Sequence, residues 1–185
     1  MRPFRLLCVC TANRCRSPMA EVLAAQLLSA RGIDADVVSA GVLESGVPAT
    51  LDAVRTMRRR DLDLSAHRSH QLDADTVAAA DLILTMERRH LTTIADLDVR
   101  AIERSFPLRE LAELAPMVGA RHDGVPVQEW IRRASATRPH GSVLTANTQL
   151  DVADPMGGTS RAYRKTADEI EGLLTTVTSY LFPIP

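Results

Sequence analysis

An apolar run that ends on a cysteine, crosses five residues to an arginine and then meets Ser-Pro constrains this chain more than any other feature. Phe4 to Val9 is apolar except for Arg5, Cys10-Thr11-Ala12-Asn13-Arg14-Cys15-Arg16 follows, and Ser17-Pro18 opens the next segment. The run reads as a strand buried in a sheet. Ser17 reads as a helix N-cap and Pro18 as the first helical residue, where no N–H is needed. Met19, Val22, Leu23, Leu27 and Ala30 then recur at helical spacing, and Gly32 closes the segment. So short a loop between strand and helix directs its N–H groups, and the partial positive charge of the helix N-terminus, at one point. That point suits a phosphate-like dianion.

The side chains agree with such a ligand. Arg16 offers a planar fork for two oxygens, and Cys10 places a sulfur at the bottom of the bowl. The field that attracts an anion also favours thiolate over thiol, which makes Cys10 an activated nucleophile. A cysteine at a strand end is more often a small buried side chain; the legible strand, loop and helix around Cys10 decide for the functional reading.

Strand-like and helix-like segments alternate along the rest of the chain. Ala35 to Ser39 reads as a second strand leading into Ala40-Gly41, Pro48 to Arg60 as a helix, and Asp81 to Met86 as a third strand. Glu87 to Asp96 is a helix candidate, Ala101 to Phe106 a weaker strand and Leu108 to Leu114 another helix. Thr159 to Leu181 is a long closing helix with Tyr163, Ala167, Ile170, Leu174, Val177 and Leu181 on one stripe. The expectation is an α/β fold, a three-layer α/β/α arrangement with a four-stranded parallel sheet and the phosphate-binding loop after strand 1. Ligands of such sheets bind beyond the carboxyl ends of the strands.

With 185 residues, 45% of them hydrophobic, one core suffices, so residues 1–185 are expected to form a single domain. Residues 115–141 read as an insertion in it, holding Pro116, Gly119, Gly124, Pro126, Trp130 and Pro139. Val127 to Ala134 is expected to form one or two helical turns there. As a surface excursion the insertion is a lid, a partner contact or a tolerated addition without a role.

A net charge of −1 gives no reason to expect a nucleic-acid partner, and no run is long and apolar enough to span a membrane. Cys8, Cys10 and Cys15 are too crowded for a disulfide framework, and no histidine lies near them, so no metal or cofactor is expected. The first apolar run is too short for a secretory signal, and free thiols fit a reducing compartment; a cytoplasmic location is the expectation. Lys165 is the only lysine, which together with the many alanines suggests a GC-rich bacterial genome.

The segment CTANRCRSP resembles the signature loop of the low-molecular-weight protein tyrosine phosphatases, Cys-x-Gly-Asn-x-Cys-Arg-Ser-Pro, a fold and loop shared with thioredoxin-coupled arsenate reductases. The resemblance recurs in Ser39-Ala40-Gly41, in LSAHRSHQL (64–72), in ADLILTMERRH (80–90) and in Asp154-Pro155. It implies a protein tyrosine phosphatase, a phosphomonoester hydrolase acting through a phosphocysteine on Cys10. Asp154 would be general acid and then general base, with an acidic to near-neutral optimum. Arg16 and the main chain of Thr11, Ala12, Asn13, Arg14 and Cys15 would bind substrate oxygens, and Ser17 would donate to the sulfur. Asn13, Ser39 and His67 would hydrogen-bond one another behind the loop. The implied substrate is a phosphotyrosine-containing protein or another phosphomonoester, and the loop should take phosphate-like oxyanions generally. For Cys15, a disulfide onto Cys10 and simple packing under the loop both stay open.

Two departures stand out. Ala12 replaces the family's glycine, and a methyl there costs about 1 kcal/mol if the position needs positive φ. Neither Val42, Leu43 and Glu44 nor Met156-Gly157-Gly158 supplies an aromatic ring, so a stacking wall would need Trp130 or Tyr163 to swing in. The alternatives are an arsenate reductase resolved by a small thiol, since no cysteine follows Cys15, and a phospho-ligand binding protein weak in turnover, with Ala12 as its main support. His70, His90, His122 and His140 receive no role.

Overall fold

A computed structural model describes residues 2–138 and 148–184. Four strands, β1 (Phe4–Cys10), β2 (Ala35–Gly41), β3 (Leu82–Thr85) and β4 (Ser105–Pro107), form one sheet in the order β2-β1-β3-β4. All three pairings are parallel, with Leu6 opposite Val37 on one side and Leu82 on the other. The pleat sends alternate residues of β1 to opposite faces. Leu6, Cys8 and Cys10 join a large core with Leu82, Leu84 and Phe106, whereas Leu7, Val9 and Ile83 join a smaller one.

The large core is covered by α1 (Arg16–Ala30), α2 (Leu51–Arg58), α5 (Leu108–Val118), α6 (Val127–Thr137) and α7 (Ser160–Leu181); Ala20, Leu23 and Leu28 of α1 and Tyr163, Ile170 and Leu174 of α7 lie in it. The smaller core lies under α3 (Ala74–Ala79) and α4 (His90–Leu97), through Val77, Leu91 and Ile94. The expected three-layer α/β/α architecture is what the chain forms. Central β1 therefore delivers Cys10 to the carboxyl edge between its two neighbours.

Several boundaries differ from the sequence expectation for local reasons. The helix expected from Pro48 begins at Leu51, because the Thr50 side chain accepts from Ala53 N–H and caps it. Where Ala101 to Phe106 reads as a strand, Val99–Arg104 is a 3-10 turn whose Arg100 N–H donates to the Asp98 carboxylate, and the strand shrinks to Ser105–Pro107. The turn α3, capped by Asp73, was not expected; only Val77 of its six residues is buried, too little for a periodic signal. Ser17 does not cap α1. The cap position is Cys15, which makes no side-chain cap bond, and Ser17 lies buried in the first turn.

Residues 115–138 are not a surface excursion. Ala115 to Val118 complete α5, and α6 runs well past the one or two turns expected, burying Trp130, Ile131 and Ala134. The Trp130 ring is 2% exposed and its Nε1–H donates to Gly119 O at 2.8 Å, so it supplies no wall to a site at the far edge of the sheet. Tyr163 is likewise buried. Pro139 to Gly141 lie outside the described residues.

Candidate active site

The loop after β1 rests on a glycine. Cys10 is in register with Gly41 of β2, and a Cβ on Gly41 would stand 2.7 Å from Asn13 N and 2.9 Å from the Ala12 carbonyl carbon. Any side chain there would push the loop off its seat, which explains the glycine of Ser39-Ala40-Gly41. The left-handed residue of the loop is Asn13, at φ 49°, and Ala12 does not require positive φ. The methyl that departs from the family pattern therefore carries no backbone strain and gives no support to a phospho-ligand binding protein weak in turnover.

Cys10 Sγ lies at the bottom of this loop and accepts two hydrogen bonds, from Asn13 N–H at 3.2 Å and from the Ser17 hydroxyl at 3.0 Å. Asn13 Nδ2 donates to Ser17 Oγ at 2.9 Å, which leaves the single hydroxyl proton to point at the sulfur; Ala40 O, at 3.3 Å, is the more distant acceptor. Asn13 is tied from every side. Its Nδ2 also reaches Ser39 Oγ (2.7 Å), its Oδ1 accepts from His70 N–H (2.8 Å), and its carbonyl lies 2.8 Å from His67 Nε2. Ser39 in turn donates to Glu21 Oε2 at 2.5 Å. The structure thus brings Asn13, Ser17, Ser39 and His67 together and adds Glu21. Helical spacing from Ser17, four residues earlier on α1, was the available signal for that carboxylate.

Arg16 is buried at the opening of α1, a helix whose first amides have no intrahelical acceptor. Its Nη1 donates to Val152 O at 3.0 Å and pairs with Glu87 Oε1 at 2.6 Å; its Nη2 pairs with Asp154 Oδ2 at 2.7 Å. Nε is buried without a partner among the described residues. Asp154 sits on a partly exposed loop, and its Oδ1 accepts from Met156 N–H (3.1 Å) and from the Cys15 thiol (3.8 Å). Cys10, Arg16, Ser17 and Asp154 therefore converge, although 138 positions separate Arg16 from Asp154.

The segment after β3 completes the wall, and sequence reasoning missed it. Glu87 bridges Arg16 to Arg89 Nε (2.5 Å), Arg89 Nη2 donates to Thr11 Oγ1 (2.9 Å), and His90 Nε2 lies 3.1 Å from the same oxygen. Bonds from Arg89 and Arg16 overcome the opposing effect of burial and hold the Glu87 carboxyl below its usual range. Burial, assisted by Arg16 and Arg89, pulls His90 down to about 4 against the opposing charges of Glu87 and Asp154, so the ring is neutral at working pH. Parallel topology was the missed clue: the carboxyl end of β3 must stand beside that of β1. Met86 O accepts from Val152 N–H (2.8 Å) and Asp151 Oδ1 from Arg88 N–H (2.8 Å), which fastens the Asp154 loop to this wall.

The other two cysteines are held as thiols by their surroundings. Burial raises Cys8 far above an ordinary thiol, and burial followed by the neighbouring Cys10 and Asp154 pushes Cys15 up to about 12. Both are free thiols in the structure. Among the described residues no cluster of His, Cys, Asp or Glu could hold a metal ion.

A cysteine sulfur in a tight loop, an arginine fork and a carboxylate on a facing loop are the groups that a cysteine-dependent phosphatase requires. Comparison with known proteins agrees: the family described as "Low molecular weight phosphotyrosine protein phosphatase" matches residues 5–126. The chain is 32% identical to the protein-arginine-phosphatase of Bacillus subtilis over 177 residues, 95% of each protein. Its fold matches the crystal structure of a YwlE mutant from Bacillus subtilis with a TM-score of 0.72 at 30% identity, covering 95% of this chain and 97% of that one. It also matches a low-molecular-weight protein tyrosine phosphatase from T. tengcongensis, with a TM-score of 0.71 at 29% identity over 95% and 98% of the two chains. The chain belongs to the low-molecular-weight protein tyrosine phosphatase family.

Proposed function

We propose that this phosphatase hydrolyses phosphotyrosine in proteins by two displacements at phosphorus, with Cys10 as nucleophile. Cys10 Sγ forms a bond to phosphorus while the bond to the leaving oxygen breaks, and Asp154 gives that oxygen its proton. Water then attacks the phosphocysteine, Asp154 takes the water's proton, and the sulfur departs. The Ser17 hydroxyl stabilises it as it leaves. Arg16 and the main-chain amides of residues 11 to 17 neutralise the equatorial oxygens, whose charge is greatest near the transition state. Asn13, Ser39 and His67 act through the loop they hold. The observation that carries this reading is the sulfur of Cys10 receiving two hydrogen bonds beside an Arg16–Asp154 pair.

Arg16 need not move far to serve. Its Nε has no partner among the described residues, and releasing Asp154 liberates Nη2 as well, so one change exposes a two-pronged fork and frees the carboxyl for proton transfer. A cytoplasmic location fits three free thiols, and among the described residues no helix is long and apolar enough to cross a membrane.

Phosphoarginine is a second reading, favoured by a relative, covered to 95% of its length, that is a protein-arginine-phosphatase, and by a groove beside the bowl with no aromatic ring among its described lining residues. Against it stands Arg14 at the lip, a like charge beside the protonated guanidinium portion of phosphoarginine. Hydrolysis of an aryl phosphate, phosphotyrosine and phosphoarginine peptides, and thiol-dependent arsenate reduction should be measured side by side. The expected pattern is phosphotyrosine turnover abolished by Cys10→Ser and lowered roughly 10²-fold by Asp154→Ala. Arsenite formation without phosphate release would overturn it, and faster release from phosphoarginine would install the second reading.

A further inference from the structure

Beside the bowl, and sharing its outer wall, runs a groove of about 420 Å³ whose lining includes Ala12, Arg14, Val42, Leu43, Glu44 and Val47. The loop's residues divide between two directions. Asn13 and Cys15 are buried beneath it, whereas Ala12 and Arg14 face outward and form the near side of the groove. A polypeptide that presents a phosphoresidue to Cys10 must therefore lay its neighbouring residues across or beside this channel.

The far side of the groove is built firmly. Val42 and Leu43 N–H donate to Cys10 O (3.3 Å) and Thr11 O (3.1 Å), so that wall is hydrogen-bonded to the catalytic loop. Buried Ser69 holds the next residues: its hydroxyl donates to Glu44 O at 3.0 Å and accepts from Val47 N–H at 3.0 Å. Leu43 remains 52% exposed on this braced segment. Val42, Val47 and Ala12 supply apolar surface for an aliphatic stem.

Arg14 supplies the charge. Its backbone carbonyl is fixed by Thr50 N–H at 2.8 Å, and its Nε donates to Pro48 O at 3.1 Å. That single tether orients the guanidinium and leaves both Nη groups without a partner among the described residues. A guanidinium anchored through Nε, with its two outer donors open, is a fork prepared for a carboxylate. Glu44 is the one acid among the described residues that line the groove, so a carboxylate entering it is attracted at Arg14 and repelled at Glu44, which fixes its position.

We propose that this groove is a substrate subsite, in which Arg14 recognises a glutamate or aspartate within two residues of the phosphotyrosine while the stem of that side chain packs on Val42 and Val47. The proposal rests on the phosphatase reading and refines it: the preferred substrate is a phosphotyrosine in an acidic sequence context.

The test compares synthetic phosphotyrosine peptides that differ only in carrying glutamate, glutamine or lysine at the flanking positions. For the wild-type enzyme kcat/KM should favour glutamate over glutamine by about fivefold, the size of one well-placed, half-exposed ion pair, and lysine should be the poorest. The preference should shrink as salt is raised. It should vanish in Arg14→Gln and turn toward the lysine peptide in Arg14→Glu. Ratios are taken within each protein, so a general loss of activity in a variant cancels. Equal rates for the glutamate and glutamine peptides in wild type, or an unchanged ratio in Arg14→Gln, overturns the subsite. Wild-type turnover of an aryl phosphate keeps that failure separate from failure of the phosphatase reading, which would abolish both activities.

Discussion

Two regions of this molecule bury a guanidinium against carboxylates, and they finish the job differently. At the end of α6, Arg138 contacts Glu110 through Nε and Nη2 at 3.1 Å, donates to Ile102 O at 3.2 Å and to Ser105 O, and stacks 3.8 Å above the Phe106 ring. Burial lowers its proton affinity, Glu110 opposes that, and every nitrogen has a use. At the carboxyl edge of the sheet, Arg16 is as deeply buried, yet its Nε has no partner among the described residues and one of its carboxylates belongs to a partly exposed loop. A completed set of bonds fits a structural cation. An incomplete set with a displaceable partner fits the substrate-binding role proposed for Arg16.

The sharpest way to break that contrast is to substitute both arginines by lysine. Arg16→Lys loses the fork, and kcat/KM on an aryl phosphate should fall roughly 10²- to 10³-fold, with little change in stability. Arg138→Lys leaves part of a buried ion network unpaired, so denaturant unfolding should show a loss of roughly 3 kcal/mol while kcat/KM per folded molecule stays within about twofold. If the Arg138 variant lost activity without losing stability, the assignment of roles to the two cations would be wrong.

The sequence made one of these arginines legible and hid the other. Arg16 stands in a short loop between an obvious strand and an obvious helix, and local signals suffice to aim it. Arg138 lies at the end of a segment that reads as an insertion, because Pro116, Gly119, Gly124 and Pro126 interrupt its periodicity. Only tertiary packing on Phe106 and Glu110 reveals that α6 belongs to the core. Glu87 and His90 were hidden for a related reason: their contacts with Arg16 and Thr11 span more than 70 positions and depend on strand order. Ser17 was placed correctly beside the sulfur but misread as a cap, since an N-cap serine and a buried first-turn serine look alike in one dimension.

His90 offers a probe of the wall that both Arg16 and Thr11 lean on. Its pKa falls from 6.5 to about 4 in the folded chain, chiefly through burial. The unfolded chain takes up this proton as pH drops through 6.5 and the folded one does not until about 4, so native stability declines across that window and levels off below it. The contribution is on the order of 3 kcal/mol over the full interval. Other groups also titrate there, and the informative quantity is the difference between wild type and His90→Gln. The stability advantage of wild type should shrink from pH 7 to pH 4; a difference that stays constant would show that His90 is protonated in the native wall.

Glu87 should matter less than the arginine it holds. Glu87→Gln keeps a hydrogen-bond acceptor at 2.6 Å from Nη1 but loses the charge, while Val152 O and Asp154 still hold the guanidinium. A roughly tenfold fall in kcat/KM is expected, corresponding to a buried pair losing part of its attraction. Steady-state kinetics at saturating and limiting substrate would show it mainly in kcat, since the geometry of the fork is needed most in the transition state. A change confined to KM would assign Glu87 to ground-state binding.

The smallest effect is expected where the sequence looked most anomalous. Ala12→Gly restores the family's residue, and if the methyl impeded the bowl this change would raise kcat/KM. The left-handed conformation belongs to Asn13, however, so Ala12 has no strain to relieve. Glycine would only widen the unfolded ensemble, lowering stability by about 0.5–1 kcal/mol with activity within about twofold. The neighbouring change Gly41→Ala supplies the contrast, because its Cβ would arrive 2.7 Å from Asn13 N and lift the loop from β2. The two substitutions each move one methyl at the same bowl, and only the second should cost activity: the loop needs an empty position beneath it, not within it.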